Sequence, residues 1–202
     1  MKIIGISGGS GAGKSTVSYR FVDEYPDTFE ILNFDDYQKV GQSKDLPMVG
    51  DMVNWDHPDI ISWDDLRRDL AKLLSGESVT IQSWSHRSNK DYFKHKNKIS
   101  RTIHSPKVLI VEGYMCLWDE ELRKMFERTY YLDIDQEASL TRRDKFVDPI
   151  YEHMVLLPMH EQYVKPTKAC ADKVIDVSEL TVEQVFLALK KDMIEMRILD
   201  ET

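Results

Sequence analysis

Residues Gly8-Gly9-Ser10-Gly11-Ala12-Gly13-Lys14-Ser15 fill every fixed position of the pattern G-x-x-x-x-G-K-[ST]. Glycines at these positions let the chain turn tightly enough for backbone N–H groups to converge on phosphate oxygens. Lys14 then reaches the terminal phosphates, the Ser15 hydroxyl is an oxygen ligand for Mg²⁺, and Thr16 opens the following helix. A chance glycine turn would not need the flanks seen here. The apolar run Lys2-Ile3-Ile4-Gly5-Ile6 precedes the loop, and Val17, Phe21 and Val22 follow it as a helix face. The chemistry implied is capture of a nucleoside triphosphate.

Phosphoryl transfer further asks for a base near the acceptor, a metal ligand and cations over the phosphates. Asn33-Phe34-Asp35-Asp36-Tyr37 puts two carboxylates just past a second apolar run. One can accept a hydroxyl proton; the other can support Mg²⁺ or cap a helix. Adjacent acids in a loop also serve as plain caps or solvated surface. Val108-Leu109-Ile110-Val111-Glu112-Gly113 is an apolar strand with an acid at its tip. Glu112 suits a direct or water-bridged Mg²⁺ contact, the alternative being an ion pair with a nearby Lys or Arg. Arg142 and Arg143 can neutralise transition-state charge or form a solvated helix face.

These residues need a frame. Short runs at Lys2–Ser7, Phe29–Phe34, Val108–Glu112, Thr129–Asp133 and Lys173–Val177 read as buried strands, with helical stretches between most of them. Ser62-Trp63-Asp64-Asp65 reads as a capping box ahead of a Leu66, Leu70, Leu73, Leu74 face that stops at Gly76. Thr181-Val182-Glu183-Gln184 is a second capping box, leading a Val182, Val185, Phe186, Leu189, Met193 stripe. Alternating strand and helix predicts a three-layer α/β phosphate-loop NTPase fold, a mostly parallel five-stranded sheet with ligands at its carboxyl edge. Residues 79–103 interrupt the alternation with two β-like pieces around a basic stretch, which predicts an inserted hairpin flap. Residues 136–158 predict a short lid, all within one domain, 1–202.

Composition bounds the partners. A net charge of −8 over 202 residues argues against general nucleic-acid or anionic-membrane binding. The N-terminus leads straight into the first strand, so no signal peptide is expected, and no apolar run is long enough to span a membrane. Two cysteines and six histidines without metal-ligand spacing predict neither a disulfide framework nor a zinc site. A soluble cytoplasmic protein is expected, free to self-associate as a homo-oligomer.

Taken in order, these segments resemble the uridine kinase–phosphoribulokinase group of phosphate-loop kinases, with nicotinamide riboside kinase a near relative. The matching pieces are Ile4-Gly5-Ile6-Ser7-Gly8 before the loop, Phe34-Asp35-Asp36-Tyr37, Asn54-Trp55-Asp56-His57-Pro58-Asp59, Val111-Glu112-Gly113 and Leu140-Thr141-Arg142-Arg143-Asp144. The last runs from Pro158-Met159-His160 through Pro166-Thr167-Lys168 to Ala171-Asp172. The resemblance implies ATP as co-substrate with Mg²⁺ and a small hydroxylated, nucleoside-like acceptor. It further implies Asp35 as the base at the ribose 5′-hydroxyl and Asp56 as ligand of the 2′ and 3′ hydroxyls. Arg142 and Arg143 would clamp the triphosphate, and Tyr37, Trp84 and His86 would line the acceptor site. This chain departs from the family where the base is gripped: Gln82-Ser83-Trp84-Ser85-His86 replaces a Pro-x-Tyr-Asp stretch, and Leu157 replaces an arginine. A nicotinamide riboside or other sugar-like acceptor is therefore the alternative to a uridine-like one. From another class, a regulatory NTP-binding module without turnover is opposed by the intact Lys14, Ser15, Asp35 and Glu112. A GTPase is opposed by the absence of N-K-x-D and of D-x-x-G after a strand.

Overall fold

A computed structural model describes residues 1–39, 46–83, 98–142 and 148–200. The chain begins with β1 (Lys2–Gly8), α1 (Lys14–Glu24) and β2 (Phe29–Asn33), then a 3₁₀ turn at Phe34–Tyr37. Two short strands follow, β3 (Met48–Val49) and β4 (Met52–Val53), then α2 (Trp63–Leu74). Next come β5 (Val79–Ser83), β6 (Ile99–Ile103), β7 (Val108–Glu112), α3 (Glu120–Arg123), β8 (Arg128–Asp133) and α4 (Gln136–Arg142). A helical run from Pro149 to Cys170, β9 (Lys173–Asp176) and α5 (Val182–Glu195) complete it.

The five long apolar runs form one parallel sheet in the order β2-β7-β1-β8-β9. They carry apolar residues at consecutive positions because both faces are covered. Tyr130 and Tyr131 show it: neighbours in β8, both essentially buried, they point to opposite faces and join separate clusters. One face packs Leu32, Leu109 and Val111 against Leu66, Leu70 and Leu73 of α2. The other packs Ile4, Ile110 and Leu132 against Phe21 of α1 and Phe186 and Leu189 of α5. Phe21 and Phe186 sit tilted at a centroid distance of 4.5 Å. Each such side chain removed from water contributes roughly 1.5–3 kcal/mol.

The strands end where the sequence places them, to within a residue, and the sheet agrees with the expected fold class. Three local expectations change. Ser62 caps α2 without forming a capping box, because its backbone N–H already donates to the Tyr37 carbonyl (2.9 Å). Its hydroxyl instead donates to Asp65 Oδ2 at 2.5 Å. Leu74 is 44% exposed, since one step of about 100° past Leu73 carries it off the buried face. Val182 is 43% exposed because it borders a cleft rather than the core. The Thr181–Gln184 capping box is present as read.

β5 and β6 pair antiparallel as the base of the expected hairpin, whose remainder, 84–97, lies outside the described residues. Arg101 of β6 stitches that base to the sheet: its Nη2 donates to Glu30 Oε1 (2.6 Å) and the Ile31 carbonyl (2.8 Å). In the helical run, Pro158 cannot donate to the carbonyl one α-turn back, and the helix widens to π-type turns at Glu152–Leu156 and His160–Val164.

Candidate active site

The site forms where three parallel strands end side by side. The register sets Ile6 of β1 against Glu112 of β7, and Glu112 against Asn33 of β2. Residues about eighty to a hundred positions apart therefore meet at one edge, beside the point where the strand order reverses.

From β1 the loop runs through Gly8–Gly13 into α1. Gly13 is the helix N-cap with φ +81°, a left-handed conformation that a side chain would strain, and it has no side chain to cap the helix. The first-turn N–H groups are left facing the cleft, where an anion satisfies them and the helix dipole together. Lys14 Nζ lies across the loop, donating to the Gly9 carbonyl at 2.9 Å.

The Ser15 hydroxyl donates to Glu112 Oε1 at 3.0 Å. Burial pushes the Glu112 carboxyl above the usual range, while Lys14 and Ser15 pull it back down. Among the described residues, no group of three or more His, Cys, Asp and Glu side chains could hold a metal alone. A serine hydroxyl beside one carboxylate is nevertheless the oxygen donor set Mg²⁺ takes when phosphates and water complete its shell.

Asp35 sits in the 3₁₀ turn after β2. Phe34 anchors that turn in the core, packed on Trp63 and Tyr114 at centroid distances of 5.3 and 5.6 Å. Burial, then the Glu112 charge, push the Asp35 carboxyl up to about 7, against the pull of Lys14. Gly113 makes room for this anchor: a Cβ there would lie 2.3 Å from Phe34 Cβ. Gly113→Ala should therefore cost about 1–3 kcal/mol, a melting-point drop of about 2–10 °C by calorimetry. It should also lower turnover, because Phe34 carries the turn that holds Asp35.

Asp56 faces the same space. Its backbone N–H donates to Asn54 Oδ1 (3.2 Å) and its Oδ2 accepts the Tyr151 hydroxyl (2.8 Å). Two clefts result. The first, about 560 Å³, runs from the loop residues Ser10–Val17 to Arg142, Leu180, Val182 and Val185. The second, about 280 Å³, holds Asp35, Asp56, Glu112, Trp55, Tyr114 and His160. They share Ser10, Lys14 and Ser15.

Most of the residues singled out from sequence thus converge, with exceptions. Tyr37 is buried in the core, its hydroxyl donating to Asp69 Oδ2 at 3.0 Å, and the structure does not bring it to the acceptor cleft. Arg142 borders the first cleft, yet its guanidinium donates to the Ser178 and Leu180 carbonyls (2.6 and 3.4 Å), at the end of the cleft away from Asp35. Trp84, His86 and Arg143 lie outside the described residues. Gln38, Trp55, Tyr114 and His160 line the acceptor cleft without having been assigned a role. Trp55 and His160 had a sequence signal, their places in the Asn54–Asp59 and Pro158-Met159-His160 segments; Gln38 and Tyr114 had none.

Other residues of the segments that carry the resemblance turn out to be staples. His57 Nδ1 accepts from Asp59 N–H (3.1 Å), starting a short 3₁₀ turn, and its other nitrogen meets the Tyr163 hydroxyl (3.2 Å). Asp172 Oδ2 accepts both the backbone N–H and the hydroxyl of Thr129, and Lys168 pairs with Asp133 at 2.6 Å.

Residues 3–182 match the Phosphoribulokinase / Uridine kinase family. A uridine kinase of Streptococcus agalactiae serotype V is 33% identical over 186 residues, covering 86% of this chain and 85% of that protein. One from Halobacterium salinarum is 29% identical over 183 residues, covering 85% and 78%. In fold, the chain is similar to a possible uridine kinase from Bacillus stearothermophilus (TM-score 0.56, 17% identity, 87% and 88% covered). It is similar also to shikimate kinase from Bacteroides thetaiotaomicron (TM-score 0.54, 15% identity, 95% and 98% covered). The chain belongs to the phosphoribulokinase / uridine kinase family and is a phosphotransferase acting on a hydroxyl group.

Proposed function

We propose that this enzyme transfers the γ-phosphate of ATP to the 5′-hydroxyl of a ribonucleoside, uridine-like in class. One observation carries the reading: among the described residues the two clefts share only Ser10, Lys14 and Ser15, with Asp35 on the side opposite the nucleotide slot. A phosphate seated on the loop then has its terminal end directed at the second cleft.

In this reading the α1 N-terminus and Lys14 bind and orient the phosphates. Asp35 takes the proton from the attacking hydroxyl, and a carboxyl titrating near about pH 7 is well matched to that exchange. Asp56 accepts hydrogen bonds from the sugar hydroxyls, a task suited to a carboxylate. Ser15 and Glu112 are the residues that would hold Mg²⁺, which supplies charge neutralisation on the phosphates when bound. Arg142 orders the nucleoside end of the donor slot, and Trp84, His86 and Arg143 remain assigned to it and to the acceptor by the family pattern alone. Among the described residues no helix is long and apolar enough to cross a membrane. A cytoplasmic setting, where ATP is available, belongs to the same proposal.

The test is a panel of uridine, cytidine, adenosine, guanosine, nicotinamide riboside and free ribose, followed by ADP release with Mg-ATP. A ribonucleoside should exceed free ribose by at least about tenfold in kcat/KM. ATP binding without phosphorylation of any member would favour the regulatory module instead.

A further inference from the structure

Tyr151 was singled out by no motif, yet its hydroxyl contacts the acceptor side of the site. It lies in the opening turn of the helical run, which Asp148 caps by accepting the Ile150 N–H at 2.8 Å. From there its hydroxyl reaches the loop around Asp56. The Trp55 backbone N–H donates to the Tyr151 oxygen at 2.9 Å, and the Tyr151 hydroxyl lies 2.8 Å from Asp56 Oδ2. A backbone amide can only donate, so the phenol oxygen is the acceptor in the first contact and its proton is committed to the carboxylate in the second. The Trp55 carbonyl in turn accepts the Tyr114 hydroxyl at 2.7 Å, which fixes the peptide on both sides of Trp55.

We propose that Tyr151 is a positioning residue for the acceptor's sugar, holding the Asp56 carboxylate in one orientation and so setting the preference for a vicinal diol over a 2′-deoxy sugar. The proposal rests on the reading of Asp56 as the diol's partner. Tyr151 occupies one lone pair of Oδ2, and a carboxylate offers further acceptor positions of the kind a diol's two hydroxyls use. A carboxylate free to turn would meet the diol with one oxygen at a time and reward the second hydroxyl less. Burial and the Asp56 charge also push the Tyr151 phenol well above its ordinary range, so the donor stays protonated wherever the enzyme works.

The geometry adds a connection. Tyr151 belongs to the arm that follows α4, whose Arg142 holds the opposite, nucleotide end through the Ser178 carbonyl. The same stretch of chain is anchored on both substrates' sides.

The experiment compares Tyr151→Phe with the unaltered enzyme on the best ribonucleoside of the panel and on its 2′-deoxy counterpart. Removing one oxygen leaves the ring in place, so the melting temperature and the KM for ATP should stay within about twofold or a few degrees of the parent. The KM for the ribonucleoside should rise about tenfold, and the ribo-over-deoxy ratio of kcat/KM should fall by about the same factor. In an Asp56→Asn background the further change Tyr151→Phe should have almost no effect on that ratio, as expected for two groups acting as a unit. An unchanged ratio in the single variant, or effects that simply multiply in the double variant, would overturn the proposal. A joint loss of ATP affinity and thermal stability would also overturn it, since that marks a merely structural tyrosine. If the unaltered enzyme phosphorylates no ribonucleoside at all, the functional reading fails first and takes this one with it.

Discussion

Asparagine in place of Asp35 should lower kcat by about 10²–10⁴-fold while leaving the dissociation constant of ATP nearly unchanged. The substitution keeps the shape of the side chain and removes only its ability to take a proton. Nothing that seats the phosphates changes: the loop, Lys14 and the Ser15–Glu112 pair stand on other elements. The pH profile supplies a second readout. Burial and the Glu112 charge hold the Asp35 carboxyl at about 7, so kcat/KM should climb as pH rises through about 7 and level off above it. That limb should vanish from whatever residual activity the variant keeps. The sign for stability is opposite. A carboxyl whose folded pKa lies above its unfolded value binds more protons when folded, so the native state loses stability as pH rises from about 4 to about 7. The variant escapes this cost and should melt a few degrees higher at about pH 8, where the parent carries the buried charge. Near-normal turnover with a retained acid limb would remove Asp35 as the base.

The largest effect on stability is expected on the far side of the sheet. Asp192 of α5 is only 4% exposed and gathers three partners. Arg128 reaches both its oxygens (3.0 and 3.2 Å), Lys173 donates to Oδ1 (2.9 Å), and the Tyr130 hydroxyl donates to Oδ2 (2.9 Å). Asp192→Ala leaves Arg128 and Tyr130 without the group that compensates their burial. Breaking such a network from one side costs about 3–5 kcal/mol, or about 10 °C in melting temperature for a chain of this length. Burial raises the Asp192 carboxyl, but its hydrogen bonds from Arg128, Lys173 and Tyr130 outweigh that and hold it below the usual range. Its contribution is therefore complete above the unfolded pKa of about 4 and is lost as pH falls through the folded value. The gap in melting temperature between parent and variant should be full at about pH 7 and narrow under acid. At permissive temperature kcat should be unchanged, because Asp192 borders neither cleft. A loss of turnover without loss of stability would contradict this placement.

How much was legible beforehand follows from what each residue's neighbours in sequence could reveal. The parallel strands were readable because burial on both faces writes a continuous apolar run. The phosphate loop was readable because its function demands glycine, lysine and serine at fixed offsets within a few residues. Asp35 and Glu112 were readable as acids at strand tips. Tyr37 looked like part of the acceptor site because it follows Asp35 in the same motif, but the 3₁₀ turn sends alternate side chains in different directions and Tyr37 goes to the core. Tyr151 carried no sequence signal, and His160 only its place in a matching segment, for another reason. Their helical run is interrupted by Pro158 and by wider turns, so no 3.6-residue period marks which face meets the cleft. His57 and Asp172 carried the resemblance without an assigned role, and their bonds show that they hold loops in place.

The narrow border between the clefts has a practical consequence. Among the described residues only Ser10, Lys14 and Ser15 belong to both, so apart from Asp35, Asp56 and Glu112 the lining of one side can drift without disturbing the other. Trp55 and Tyr114 can change with the acceptor, and Leu180 and Val182 with the donor, while the chemistry at the junction is inherited intact. Such a division makes the scaffold modular, and it gives enzyme engineers a partition line: libraries confined to one side should yield new pairings of donor and acceptor in combination rather than in conflict.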